Sequence, residues 1–204
     1  MAEGKLTGTD SFLLLDGSQS QALAAVVRLD GKRHGHWRLG RNLDGFFSSV
    51  EKTLRQEKVS WSELAGVFVN GGPGSLMGLR ATKLLVDTAE ALGRGVPIRF
   101  FCGPEWVARW ILECDGPRSF HLLVPVSRHR HFELAVIEGK LGSLVRREGL
   151  AMAADGPTYL IPTRNDIALP VGVRWAPYPT PQFFVDWLEL LQRTAGLCLF
   201  EEKC

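Results

Sequence analysis

The residues best placed to do chemistry are Gly71-Gly72-Pro73-Gly74-Ser75-Leu76-Met77-Gly78-Leu79-Arg80, set between an apolar run, Val67-Phe68-Val69, and a helical pattern beginning near Ser75. Backbone N–H groups at a helix N-terminus attract anions, and glycine lets a phosphate approach them closely. The stretch is not a Walker A loop, because Leu79-Arg80 follows Gly78 where Lys-Ser/Thr would stand, and its glycines miss G-x-G-x-x-G by one residue. Two readings stay open. One is a weak nucleotide-phosphate site built from Asp16, Gly72, Gly74, Ser75 and Gly78; the other is a tight turn with Ser75 as N-cap and Gly78 admitting close helix packing. Asp16 divides the same way, between a metal-orienting carboxylate and a buried cap for the turn that follows it.

Other reactive side chains are scattered. His34-x-His36 and His129-x-His131 put two imidazoles on one strand face, but no acidic or thiol cluster stands near either to complete four ligands, so no metal site is expected. Arg128-His129-Arg130-His131 with Arg146-Arg147 could form a basic patch for phosphates or a solvated hairpin edge. Gly-x-Ser-x-Gly does not occur, and no serine has a readable base and acid. The cysteines Cys102, Cys114, Cys198 and Cys204 show no C-x-x-C spacing and read as reduced thiols. No catalytic residue is assigned.

The elements around these residues follow from hydrophobic period. Phe12–Leu15, Ala22–Leu29 and His34–Leu39 read as three strands of a meander, with Asp30-Gly31 as a hairpin turn. From Asn42 the period changes: Leu43, Phe46, Phe47, Val50 and Leu54 form a helical stripe ending near 56–58. Ser60 and Glu63 make a capping box ahead of a strand over 66–70. After the glycine turn come a helix over 75–92, a strand over 97–101, and a helix from Gly103-Pro104 whose Trp106, Val107, Trp110, Ile111 and Cys114 share a face. A second meander runs through 122–126, 132–137 and 141–147. Prolines then exclude long regular elements over 156–181, and a last helix is expected over about 181–194. The second meander echoes the first, which predicts two related lobes.

The helix over 75–92 is unusual in its charge distribution. Arg80, Lys83, Asp87, Glu90 and Arg94 recur at spacings of three and four, so at ~100° per residue they fill a stripe about 80° wide and leave an apolar arc of roughly 240°. One sheet needs an arc of only ~100°. The surplus predicts burial on two sides or contact with another chain.

Bulk numbers exclude several classes. With 204 residues, 45% hydrophobic, 23% charged and a net charge of +2, the chain reads as globular, and its charge balance gives no bulk electrostatic argument for nucleic acid or anionic membrane, so any such partner would need a local patch. The start carries no apolar leader, and no run reaches the ~20 residues of a membrane span. A cytoplasmic protein is expected.

The string Gly72–Arg80 is similar to the GPGSFTGLR signature of the TsaB (YeaZ) family, and the resemblance in element order extends from Phe12 to about Lys140. It implies a two-lobed actin-like, sugar-kinase-like (ribonuclease H-like) α/β fold, with mixed sheets flanked by helices. The first lobe would span residues 10–101 and a smaller second lobe, with the proline-rich segment, residues 102–204. It further implies a non-catalytic scaffold in formation of threonylcarbamoyladenosine beside the tRNA anticodon, a TsaD-like paralogue and a TsaE-like ATPase as partners, and a homodimer in isolation. Pairing would use the first-lobe helices, at Leu43, Phe47, Val50, Leu79, Leu85, Ala89 and Leu92. The chain departs from the family at Asp16-Gly17-Ser18, at Leu76-Met77, and at Ser127, where family members carry an acid. The H-x-x-x-H pair of the family's glycoprotease (peptidase M22-like) relatives is also missing. Without two facing carboxylates for Mg²⁺, in-line phosphoryl transfer loses its electrostatic clamp. No cofactor is therefore required, and an ATP-dependent phosphotransferase using Asp16 and the glycine turn is the rival reading. A stand-alone structural homodimer is a third.

Overall fold

A computed structural model describes residues 10–20, 22–28, 35–39, 45–92, 95–114, 116–127, 129–149, 156–163, 169–177 and 179, with backbone alone for 35–39. Strand β1 (Ser11–Asp16) is buried at every position, the mark of a central strand covered on both faces. Its pleat sends Leu13 and Leu15 to one face, and Phe12 and Leu14 to the other. β2 (Ala22–Arg28) and β3 (Gly35–Leu39) complete an antiparallel meander, and β4 (Leu64–Gly72) and β5 (Ile98–Cys102) add in parallel on the other side. The resulting five-stranded order is β3-β2-β1-β4-β5.

Helices α1 (Phe46–Gln56) and α2 (Leu76–Ala91) cover the Leu13/Leu15 face. α1 buries Phe46, Val50, Thr53 and Leu54, the i, i+4, i+7, i+8 stripe of an amphipathic helix. The Asn42–Leu43 part of the expected helix lies outside the described residues. A 3₁₀ turn, Trp61–Glu63, leads into β4 and carries the expected capping box: Ser60 N–H donates to Glu63 Oε2 at 2.7 Å and Ser60 Oγ lies 2.7 Å from the same atom. Those bonds hold the Glu63 carboxyl below its usual range.

α3 (Gly103–Glu113) serves both sheets. Trp106 packs edge-on against Phe101, ring centroids 5.4 Å apart, within the cluster that covers Phe12, Leu14 and Phe68. Val107, Ala108 and Ile111 point instead into the core of the second sheet. The single apolar face expected here is thus two faces, and Cys114 is exposed. The helix is covered on both sides because it is sandwiched.

The second sheet starts with the meander β6 (Phe120–Pro125), β7 (Arg130–Ile137) and β8 (Lys140–Glu148). β9 (Thr158–Leu160) joins β6 in parallel and β10 (Val173–Trp175) joins β9 in parallel, giving β8-β7-β6-β9-β10. Both sheets therefore share one design: an antiparallel meander, then two parallel strands on the far edge of its first strand. In the first lobe helices make the parallel crossovers. In the second, residues 149–157 lead from β8 to β9 and residues 161–172 from β9 to β10. The helix expected over 181–194, with Trp187, lies outside the described residues.

Candidate functional site

The glycine turn sits where β4 ends, beside the turn that follows β1. Asp16 is 1% exposed, and its Oδ1 accepts the Ser18 N–H at 2.7 Å, so the carboxylate caps its own turn. The Ser18 carbonyl in turn accepts the Ser75 N–H at 2.5 Å, and Ser75 Oγ accepts the Gly78 N–H at 3.5 Å. Ser75 is the N-cap of α2, as its type and place predict.

Three glycines allow this closeness. A Cβ on Gly74 would strike the Ser18 backbone and side chain. One on Gly78 would strike the Gly17 carbonyl, and one on Gly17 would strike the Gly78 carbonyl and Thr82 Oγ1. Gly72 has a φ of +101°, a region open to glycine, and precedes a cis Gly72–Pro73 peptide. The space beside Gly74 and Gly78 is filled by residues 17 and 18 of the chain itself. Thr82, fully buried, donates to the Gly78 carbonyl at 2.9 Å.

Asn70 ties the region together and was not singled out from the sequence. Its Nδ2 donates to Ser18 Oγ at 2.9 Å, and its Oδ1 accepts from Gly72 N–H at 2.9 Å and Gly103 N–H at 3.1 Å. One buried amide thus joins the β1–β2 turn, the glycine turn and the start of α3. The only signal was an amide closing an apolar strand, at Val69-Asn70. Across the lobes, Ser20 N–H donates to the Pro162 carbonyl at 2.6 Å, and within the second lobe Thr163 Oγ1 donates to the Pro125 carbonyl at 2.8 Å.

These residues do not fit a Mg²⁺–nucleotide group. Asp16 is buried and engaged by backbone, the glycine cradle is closed by Ser18, and Ser127 is an exposed serine whose Oγ accepts the His129 N–H at 3.4 Å. Among the described residues no group of three or more His, Cys, Asp or Glu side chains is placed to hold a metal ion.

The histidine pair at 129 and 131 does not share a face: His129 lies exposed in the β6–β7 turn, while His131 is 3% exposed. His34-x-His36 lies outside the described side chains. Among the described residues His131 Nδ1 has no hydrogen-bond partner, and burial holds the ring below its ordinary pKa; Glu133 partly opposes this and Arg147 adds to it. The basic strip is partly neutralised. Arg147 Nε meets Glu133 Oε2 at 3.1 Å, and Arg130 meets Glu148 at 3.5 Å. Glu133 also meets His121 Nδ1 at 2.8 Å.

The predicted contact residues divide. Val50 and Leu85 are enclosed in the first lobe's own core, because they lie on the sheet-facing sides of α1 and α2. Ala89 and Leu79 are half-buried, Phe47 is exposed, and Leu43 lies outside the described residues. The surplus on α2 is nonetheless real: Leu76 is 59% exposed, Met77 63%, Leu84 58% and Leu92 64%. Among the described residues no helix is long and apolar enough to cross a membrane.

No family model matches the chain, and no curated protein matches it. Solved structures do. An uncharacterized protein with similarity to peptidase YEAZ from Pseudomonas aeruginosa is 15% identical, with a TM-score of 0.66 over 92% of this chain and 94% of that one. YeaZ from Pseudomonas aeruginosa gives 15% identity and a TM-score of 0.63 over the same shares. At that identity the likeness speaks of architecture: two mixed sheets flanked by helices, laid out along nearly the whole chain as in YeaZ.

Proposed function

We propose that this protein is a diverged TsaB-like scaffold, non-catalytic by itself, in the threonylcarbamoyl modification of the anticodon-adjacent adenosine of tRNA. It would associate through its first-lobe helices with a TsaD-like partner or with a second copy of itself. The observation that carries the reading is the apolar outer flank of α2, where Met77 and Leu84 stand more than half exposed beside a charged stripe. Burying such side chains is worth about 1.5–3 kcal/mol each, which favours a partner. The glycine turn supports the same reading from another direction, since its Gly72, Ser75 and Gly78 N–H groups bond within the chain and residues 17 and 18 pack against Gly74 and Gly78.

The test is co-purification from the native cell with a TsaD-like protein. Replacing Leu84 and Leu92 together by Glu should abolish capture while leaving the far-ultraviolet circular dichroism unchanged. Capture of no such partner by the wild-type chain would count against the scaffold. ATP turnover by the purified chain, lost in Asp16→Asn, would favour the phosphotransferase instead.

A further inference from the structure

We infer that the first lobe carries a binding site for a small organic cation with an apolar aromatic body. The site is a cavity left open in the core between the end of α2, the 3₁₀ turn before β4 and the start of β5. The inference is independent of the scaffold reading, because the cavity uses none of the exposed apolar side chains on the α2 flank.

The core on the Leu13/Leu15 face is not sealed all round. A cavity of about 290 Å³ opens into it at this edge. Its floor is the core itself, Trp61, Val67 and Val86, all three buried. Ala89, Val96 and Ile98 form its walls, and they are half-buried residues that pack against that core. Gly95 stands exposed at the mouth, and a Cβ built there would meet no atom within 4 Å. By the share of liquid volume that one water takes, the space holds about ten waters. It therefore suits an organic molecule of about a dozen non-hydrogen atoms, at the small end of ligand pockets.

The chemistry of the lining selects the two ends of the ligand. Trp61 has a single donor, and its Nε1–H already goes to Glu51 Oε1 at 2.8 Å, so its ring offers the cavity only hydrocarbon. The Val67 N–H is likewise taken, by the Pro97 carbonyl at 2.8 Å. A polar body would give up its water there without gaining a partner, whereas an aromatic one gains contact with the indole. The mouth is different. Glu90 is the one ionisable side chain among the described lining residues; it is exposed and makes no ion pair with another described residue. Glu90 and Ala89 belong to the last turn of α2, which holds no basic side chain and whose carbonyls carry partial negative charge. An ammonium group at the mouth is attracted by both, and an anion is repelled by both.

The experiment is an NMR titration of the isotope-labelled full chain with three probes that share one bicyclic body: tryptamine, neutral indole and indoleacetate. Tryptamine should shift the Trp61 indole N–H and the Gly95 and Val96 amides saturably, with a Kd of roughly 0.1–1 mM for a molecule of this size. Indole should bind the same residues about two- to fivefold more weakly, and indoleacetate more weakly again. Glu90→Gln should remove most of the advantage of tryptamine and leave the affinity for indole unchanged. Ala89→Leu, and independently Val96→Phe, should fill the cavity and abolish binding of every probe with the far-ultraviolet circular dichroism unchanged. No saturable shift at those residues up to about 10 mM tryptamine overturns the site. Equal affinity for the three probes overturns the choice of a cation, and binding that survives both filling variants places the ligand elsewhere and overturns the cavity.

Discussion

Asn70 hydrogen-bonds three groups from three separate segments, Ser18, Gly72 and Gly103, so its loss should be felt well beyond its own size. Asn70→Ala leaves the Gly72 and Gly103 N–H groups buried and unpaired, at roughly 1–3 kcal/mol apiece, and urea denaturation should show a loss of that order. Gly78→Ala should cost about 1–3 kcal/mol by overpacking, because the new methyl meets the Gly17 carbonyl, and the same assay checks it. His131 gives a pH prediction. Its folded pKa lies below the unfolded value of 6.5, so its contribution is complete above 6.5 and is lost as pH falls from 6.5 through the folded pKa. Replacing it by Phe should flatten the stability-versus-pH curve between about pH 7 and pH 5 relative to wild type, and parallel curves would show the assignment wrong. The capping readings of Asp16 and Ser75 were open to the sequence because each side chain acts on an N–H two or three residues away. Asn70 was not, since its bonds to Ser18 and Gly103 join segments that only the fold brings together.

At the scale of elements, hydrophobic period located the strands and helices because each covers one or two faces with a regular stripe. Boundaries shifted where backbone pairing outlasts the apolar run: β4 extends to Gly72 because Gly72 still pairs with Cys102. What period could not supply was direction. Along α2 it identified too much apolar surface, yet it did not say that Leu85 faces the sheet and Leu84, one residue earlier, faces outward. That difference makes a sharp prediction. Leu84→Glu should change thermal stability by less than about 0.5 kcal/mol, whereas Leu85→Glu buries a carboxylate in the core and should prevent folding. Circular dichroism melts of the two variants decide it. On α3, likewise, the stripe was legible, but the use of two sides by two sheets was not.

For the whole molecule, the repeated meander was the clue to two lobes, and the shared strand order shows why it was readable: the same pairing logic was written twice. The short proline-bearing connections of the second half hid its parallel strands, since three-residue strands such as β9 leave no periodic trace. Trp106→Ala should lower the stability of the whole chain by about 3–5 kcal/mol in a single cooperative transition, because α3 belongs to both cores. Two separate transitions in calorimetry would argue otherwise.

The sandwiched helix also settles what happens if the chain is cut. A polypeptide ending at residue 102 keeps every strand of the first sheet but forfeits the tryptophan that shields Phe12, Leu14 and Phe68 from water. Expressed by itself, such a half would be sticky and prone to precipitate, and adding α3 back as a tail should rescue its solubility. Dissection into autonomous modules must therefore leave that helix attached to the front half, and the back half then loses its own roof.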